Sequence, residues 1–228
     1  MKYEIQGTVL QTLDVYLEAG ESLFTESGGM AWMMGDIEMS TNTRGGLLKG
    51  LARSLAGESL FLTTYTSKTG TGMITFTPEA PGSILPVALA ANESRICQKD
   101  AFMAAQESMT LEMHFRRKLG AGIFGGEGFI LQKLTGPGIG WVEIAGEVRE
   151  YELKPGQTMR VDPGHIAMYE PSVNYDIARV KGAKNILFGG EGLFLATLTG
   201  PGKIWLQSLP LANLASKLMQ YMPIKTSS

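Results

Sequence analysis

Apolar and polar positions alternate in short runs along most of the chain. Ser108–Phe115 (SMTLEMHF) sets Met109, Leu111, Met113 and Phe115 against Thr110, Glu112 and His114. That period of two is the signature of a strand with one wet face. Val148, Tyr151 and Leu153 precede a Pro155-Gly156 turn, and Met159 and Val161 follow it. Phe129, Leu131 and Leu134 lead into Thr135-Gly136-Pro137-Gly138, after which Trp141 opens a returning apolar run. Glycine accepts positive φ and proline presets φ, so this tetrapeptide predicts a hairpin turn. With 29 Gly and 10 Pro in 228 residues, the pattern predicts many short strands separated by tight turns, as in an all-β sandwich or barrel.

Two stretches break the alternation. Thr43–Gly57 (TRGGLLKGLARSLAG) interleaves Leu47, Leu48, Leu51 and Leu55 with Lys49 and Arg53, the pattern of a short inserted amphipathic helix. Near the end, Leu211, Leu214, Leu218 and Met222 fall at helical spacing between Pro210 and Pro223. Proline suits a first turn and stops a helix, so residues 210–222 are expected to form a C-terminal helix.

The alternating runs also repeat. Phe124–Trp141 (FGGEGFILQKLTGPGIGW) returns as Phe188–Trp205 (FGGEGLFLATLTGPGKIW), with a weaker copy at Ala56–Phe76. Gly57-Glu58, Gly126-Glu127 and Gly190-Glu191 coincide in the three copies. A second unit alternates with the first. Leu17–Met34, Leu89–Gln106 and Leu153–Glu170 align, with Gly20 on Gly156 and Phe102 on Ile166. The chain is therefore expected to be one domain of three internal repeats, about 1–77, 78–147 and 148–209. The fold expected is an all-β, β-sandwich or double-stranded β-helix-like body, with the two short helices added.

Charge narrows the partners. There are 20 Lys+Arg against 22 Asp+Glu, a net charge of −2, so no general field draws nucleic acid or anionic lipid. A single cysteine, Cys97, rules out an internal disulfide framework and a Cys-rich zinc site. The opening MKYEIQGTVLQTLDVYLE has no apolar core behind a basic start. No run reaches the roughly 18 apolar residues of a spanning helix. The expected location is the cytoplasm.

The glycine-rich hairpin, the paired glycines before it and the preceding ESGGMAWM segment resemble the mitochondrial biogenesis (altered inheritance of mitochondria) family over about Tyr3 to Leu218. The resemblance implies a β-sandwich monomer of three repeats, each similar in fold to the tryptophan RNA-binding attenuation protein. Fungal relatives are associated with mitochondrial inner-membrane organisation, and bacterial relatives have no agreed activity. It implies no catalytic or ligand residues, and a mitochondrial targeting extension is not seen in this sequence.

The chemistry-bearing motifs are sparse. Gly120–Gly125 (GAGIFG) matches G-x-G-x-x-G, but a strand pattern follows where a dinucleotide site needs a helix. A cupin-like metal enzyme needs several converging histidines, and this chain has only His114 and His165, in different repeats. Cys97 falls where another copy has Val161, as a small core residue. Glu58, Glu127 and Glu191 either ring an axis or, the reading repetition favours, each accept backbone N–H bonds in their own turns. Arg116, Arg117 and Lys118 form the densest basic run, a basic rim or a solvated strand end. Leu47, Leu48, Lys49, Leu51 and Arg53 form a candidate partner or membrane surface. The expected function is a non-catalytic interaction or scaffold protein without cofactor. It would be homo-oligomeric, with a further protein partner and a peripheral membrane contact open. An RNA- or small-ligand-binding module is the first alternative and a cupin-like enzyme the second. The charge argues against a nucleic-acid partner.

Overall fold

The computed structural model describes residues 1–26, 29–42, 62–117, 128–179, 194–219 and 221. Leu47, Leu48, Lys49, Leu51, Arg53, Gly57, Glu58, Lys118, Gly126, Glu127, Gly190 and Glu191 lie outside the described residues, as do the inserted-helix segment and GAGIFG.

Strands dominate, as the alternation predicts. The first segment has β1 (Lys2–Gln6), β2 (Thr12–Leu17), β3 (Ser22–Glu26) and two long strands, β4 (Met30–Asn42) and β5 (Leu62–Phe76). The second has β6 (Gly82–Leu89), β7 (Ser94–Gln98), β8 (Phe102–Gln106), β9 (Thr110–Arg117), β10 (Phe129–Thr135) and β11 (Gly138–Ala145). The third has β12 (Val148–Leu153), β13 (Thr158–Val161), β14 (Ile166–Tyr169), β15 (Asn174–Arg179), β16 (Phe194–Thr199) and β17 (Gly202–Gln207). A helix, α1 (Leu211–Met219), follows.

Strands β2 and β9 bury the face their pattern marks. Leu13, Val15 and Leu17 of β2 are wholly buried, while Thr12, Asp14 and Tyr16 point toward solvent. On β9 the apolar Leu111 is buried and Thr110, Glu112 and His114 are exposed.

The pairing has one form in all three segments. β7 and β9 flank β10, and β13 and β15 flank β16. β3 and the second half of β4 flank the first half of β5. Likewise β6 and β8 flank β11, β12 and β14 flank β17, and β2 and the first half of β4 flank the second half of β5. Register agrees as well: Ser22 faces Thr66, Ser94 faces Thr135 and Thr158 faces Thr199. In the first segment β4 and β5 run through continuously where the others have separate strands. The register shifts around Gly35, whose φ is +99°.

Neighbouring segments join by one further antiparallel pairing. β3 lies along β8 and β7 along β14. The first junction lies in the sheet β1-β2-β5-β3-β8-β11-β6, and the second builds β12-β17-β14-β7-β10-β9, each from two segments. The core is correspondingly continuous. One cluster gathers Phe24 and Leu62 of the first segment, Cys97, Phe102 and Val142 of the second, and Ala167 and Met168 of the third.

The turns repeat too. Gly20, Asn92 and Gly156 have φ of +83°, +66° and +74°. In the following position Glu21, Glu93 and Gln157 accept the backbone N–H of Glu18, Ala90 and Lys154 at 2.9, 3.1 and 3.0 Å. The Gly136-Pro137 and Gly200-Pro201 bonds are cis. A Cβ on Gly136 would sit 2.6 Å from the Leu89 carbonyl oxygen, and one on Gly200 2.6 Å from that of Leu153. The hairpin turn thus presses on the end of the strand beside it, and only glycine fits. Gly136→Ala and Gly200→Ala should each lower the unfolding free energy by about 1–3 kcal/mol. Urea denaturation measures this, and an unchanged midpoint in both would show that the neighbouring strand gives way freely.

Candidate functional site

The first half of β4 reads Met30-Ala31-Trp32-Met33-Met34. Its place beside β5 is that of β8 beside β11 and β14 beside β17. Its burial is the opposite. Trp32 is 51% and Met34 64% exposed, while Ala104 and Ala105 of β8 are at 0% and Tyr169 of β14 at 1%. The cause lies on the outer edge. β3 covers β8 and β7 covers β14, but among the described residues β4 pairs only with β5. Met30–Met34 contains neither lysine nor proline, the residues that usually blunt a sheet edge. It therefore presents unpaired backbone donors and acceptors flanked by large apolar side chains.

A second feature is a cleft of about 470 Å³, bordered by His114, Phe115, Lys133, Ser172 and Asn174. Tyr169 and Tyr175 also line it, their rings stacked with centroids 6.0 Å apart. Phe129 stacks on Tyr175 at 6.0 Å and Phe115 meets it edge-on at 5.3 Å. Both tyrosine hydroxyls are buried without a hydrogen-bond partner among the described residues. Burial holds both phenols well above the ordinary range. Burial and the nearby Lys133 charge hold His114 below its ordinary value. Two phenol donors beside an ammonium suit a small anionic acceptor.

The third feature is Glu143, a half-buried acid on β11 between adjoining clefts of about 430 and 400 Å³. Glu79, Lys99 and Asp100 line both clefts with it. Burial, with the charges of Glu79 and Asp100, raises its carboxyl to about 7, against the backbone N–H of Glu79 that it accepts at 2.8 Å. Asp100 accepts from Gln98 Nε2 at 2.9 Å. Among the described residues no three His, Cys, Asp or Glu side chains are arranged to hold a metal ion.

The residues singled out from the sequence fall elsewhere. Arg116 and Arg117 lie opposite Ile130 and Phe129 at the end of β9. Arg117 donates to the Ile177 carbonyl on β15, so it ties two segments together and is not simply part of a basic rim. His165 closes a short 3-10 turn with Nδ1 2.7 Å from the Gln207 carbonyl oxygen, while His114 lies on β9. Cys97 is fully buried, and desolvation pushes its thiol up to about 12. That is an inert core thiol. The exposed β4 edge and the tyrosine cleft were not read from the sequence. Met30–Met34 aligns with strands that are buried, so its composition reads as core. Glu143 did leave a signal, a lone acid inside the apolar run Trp141–Ala145.

Comparisons place the chain among known proteins. It matches the family model for mitochondrial biogenesis AIM24 over residues 3–209. It is 30% identical over 223 residues to an uncharacterised protein of Streptococcus pyogenes serotype M6, covering 94% of this chain and 88% of that one. It is also similar to a Streptococcus pyogenes protein solved by X-ray crystallography, with a TM-score of 0.78 and 27% identity, over 97% of this chain and 99% of the other.

Glu143 gives a pH-dependent prediction. Folding raises its carboxyl from 4.5 to about 7, so the unfolded chain loses the proton first. The folded state carries no penalty from this group in acid and gains one as pH climbs through that interval. Glu143→Gln keeps an acceptor for Glu79 and removes the titration. Relative to wild type it should gain about 1–3 kcal/mol on going from about pH 5 to about pH 8. Urea midpoints at the two pH values measure this, and a constant difference would mean that Glu143 ionises as it does in water.

Proposed function

The chain belongs to the mitochondrial biogenesis AIM24 family, and we propose that it is a non-catalytic interaction protein that takes up a partner strand along β4. The observation behind this reading is the exposed edge Met30–Met34, set where the other two segments have a strand buried under a neighbour. Strand addition draws its affinity from main-chain hydrogen bonds and its specificity from alternate side chains, which here are Trp32 and Met34. Self-association belongs to the same reading. A peripheral membrane contact through Leu47, Leu48 and Leu51 rests on residues outside the described set. No described helix is long and apolar enough to cross a membrane.

A photo-crosslinking amino acid at position 33 tests the reading in cells. It should capture discrete protein neighbours that are not captured from the exposed turn position 154. Equal background at the two positions would sink the reading, whatever the neighbours are.

A second reading, a small-ligand module, draws on the unpartnered Tyr169 and Tyr175 hydroxyls beside Lys133. Titration calorimetry with benzoate and a series of larger aromatic carboxylates is the check. At least one should bind, and Tyr175→Phe should weaken it about tenfold. No heat across the series, or equal affinity in the variant, would remove this reading.

A further inference from the structure

We infer that the strand taken up by β4 is β13 of a second copy of this chain, so that copies join head to tail. The inference rests on the interaction reading above and names its partner. It starts from the two junctions already inside the chain. In each, the second strand of one segment pattern covers the outer edge of the buried strand in the next: β3 on β8, β7 on β14. The registers are the same. Phe24 faces Ala105 in one and Ile96 faces Tyr169 in the other. Leu23 faces Gln106 in the first, and at the corresponding place in the second Arg95 is ion-paired with Glu170 at 3.7 Å.

Three segments provide three strands of each kind, and two junctions use two of each. The remaining pair is the outer edge of β4 and the outer edge of β13, which among the described residues pairs only with β16. The two unused edges are therefore the two halves of one more junction of the same form. The common register sets Val161 against Trp32, Arg160 against Met33 and Met159 against Met34. Arg160 occupies the place of Phe24 and Ile96. Its methylenes can lie on Met33 while its guanidinium stays in water.

Among the described residues the same chain does not pair these two halves. No strand pairing joins β1–β5 to β12–β17 among the described residues. The core cluster around Leu13 and Phe76 draws Ile84, Met103, Ala104 and Trp141 from the middle segment and nothing from the third. The cluster around Ile166 and Leu198 draws Ile96, Phe129 and Leu131 from the middle segment and nothing from the first. All three segments share the cluster around Phe24, Phe102 and Met168, but among the described residues no strand pairing joins the first to the third, which leaves one unused edge on each. A contact of this type is heterologous, so it propagates until it closes as a ring or continues as a filament.

The test places cysteines at Met33 and Arg160 in the full chain and adds a short thiol-to-thiol crosslinker, since cross-strand Cβ atoms lie about 5 Å apart. The native Cys97 is buried and does not compete. The double variant should give a ladder of linked chains. Mixing Met33→Cys with Arg160→Cys chains should give a dimer with one of each, which neither forms alone. A crosslink that leaves the mass of one chain would show β13 closing on its own β4 and overturn the inference. So would a dimer from Met33→Cys alone, which means two β4 edges meeting about a two-fold axis. Light scattering on the unsubstituted chain does not depend on the cysteines. Multiples of the chain mass that dissociate on dilution are expected, with Trp32→Lys combined with Met34→Lys weakening association about a hundredfold. A monomer at every concentration would overturn the inference. Position 33 could still capture a different protein in cells, so strand addition itself stands or falls on that separate result.

Discussion

The antiparallel contact of β3 with β8, repeated by β7 with β14, turns small sheets into large ones. A lone three-stranded sheet leaves two edges open and buries little apolar surface. Joined through this contact, β12-β17-β14-β7-β10-β9 has interior strands that are paired on both sides. The contact also brings Phe24, Phe102 and Ala105 into one core cluster with Val142 and Met168. Side-chain amides seal its flanks. Gln132 donates to Glu26 at 2.9 Å across the first junction. At the second, Gln207 accepts the Ala145 N–H at 3.1 Å and donates to the Gly164 carbonyl at 2.9 Å. Buried amides so placed lock the register, because a slip of one residue would orphan them.

The clefts follow from the same construction. Where segments meet, their faces cannot match everywhere, and the gaps collect groups the core cannot absorb. Glu143 sits on β11 between clefts that run from Thr25 and Met30 of the first segment to Gly164 and Gln207 of the third. The stacked Tyr169 and Tyr175 belong to the third segment, while His114 and Lys133 opposite belong to the second. A charged or phenolic group at such a seam is desolvated without being fully partnered. That is why its proton equilibrium moves and why it can answer to pH or a ligand.

Much of this was legible in the sequence, for physical reasons. Period-two alternation and glycine turns report a backbone conformation locally, so the all-β body and strands such as β9 and β13 could be read directly. The C-terminal helix announced itself through the spacing of Leu211, Leu214 and Leu218. Its described part, Leu211–Met219, lies within the expected range. The candidate sites were less legible. Arg117 looks like part of a surface run until β15 arrives beside it. The unpartnered phenols depend on which rings stack, a property of packing across segments. Met30–Met34 is the sharpest case. Its residues match those of buried strands, and burial is decided by whether another strand lies on the far side, which no local pattern encodes.

That strand differs in side-chain size from one buried counterpart and resembles the other. β8 offers Ala104 and Ala105 to its covering strand and β14 offers Met168 and Tyr169, where β4 offers Trp32 and Met33. Within the chain, the connection already holds the two strands near one another. A junction between molecules must also overcome several kcal/mol of lost translational and rotational freedom. A four-residue strand contributes few hydrogen bonds, each worth about 0.5–1.5 kcal/mol net. Burying one large apolar side chain adds about 1.5–3 kcal/mol. Trp32 and Met33 match the large pair of β14 rather than the alanines of β8, and they stand at an edge left uncovered among the described residues, where an intermolecular contact would need apolar area. Side chains of that size along an edge meant to stay in water would only invite aggregation.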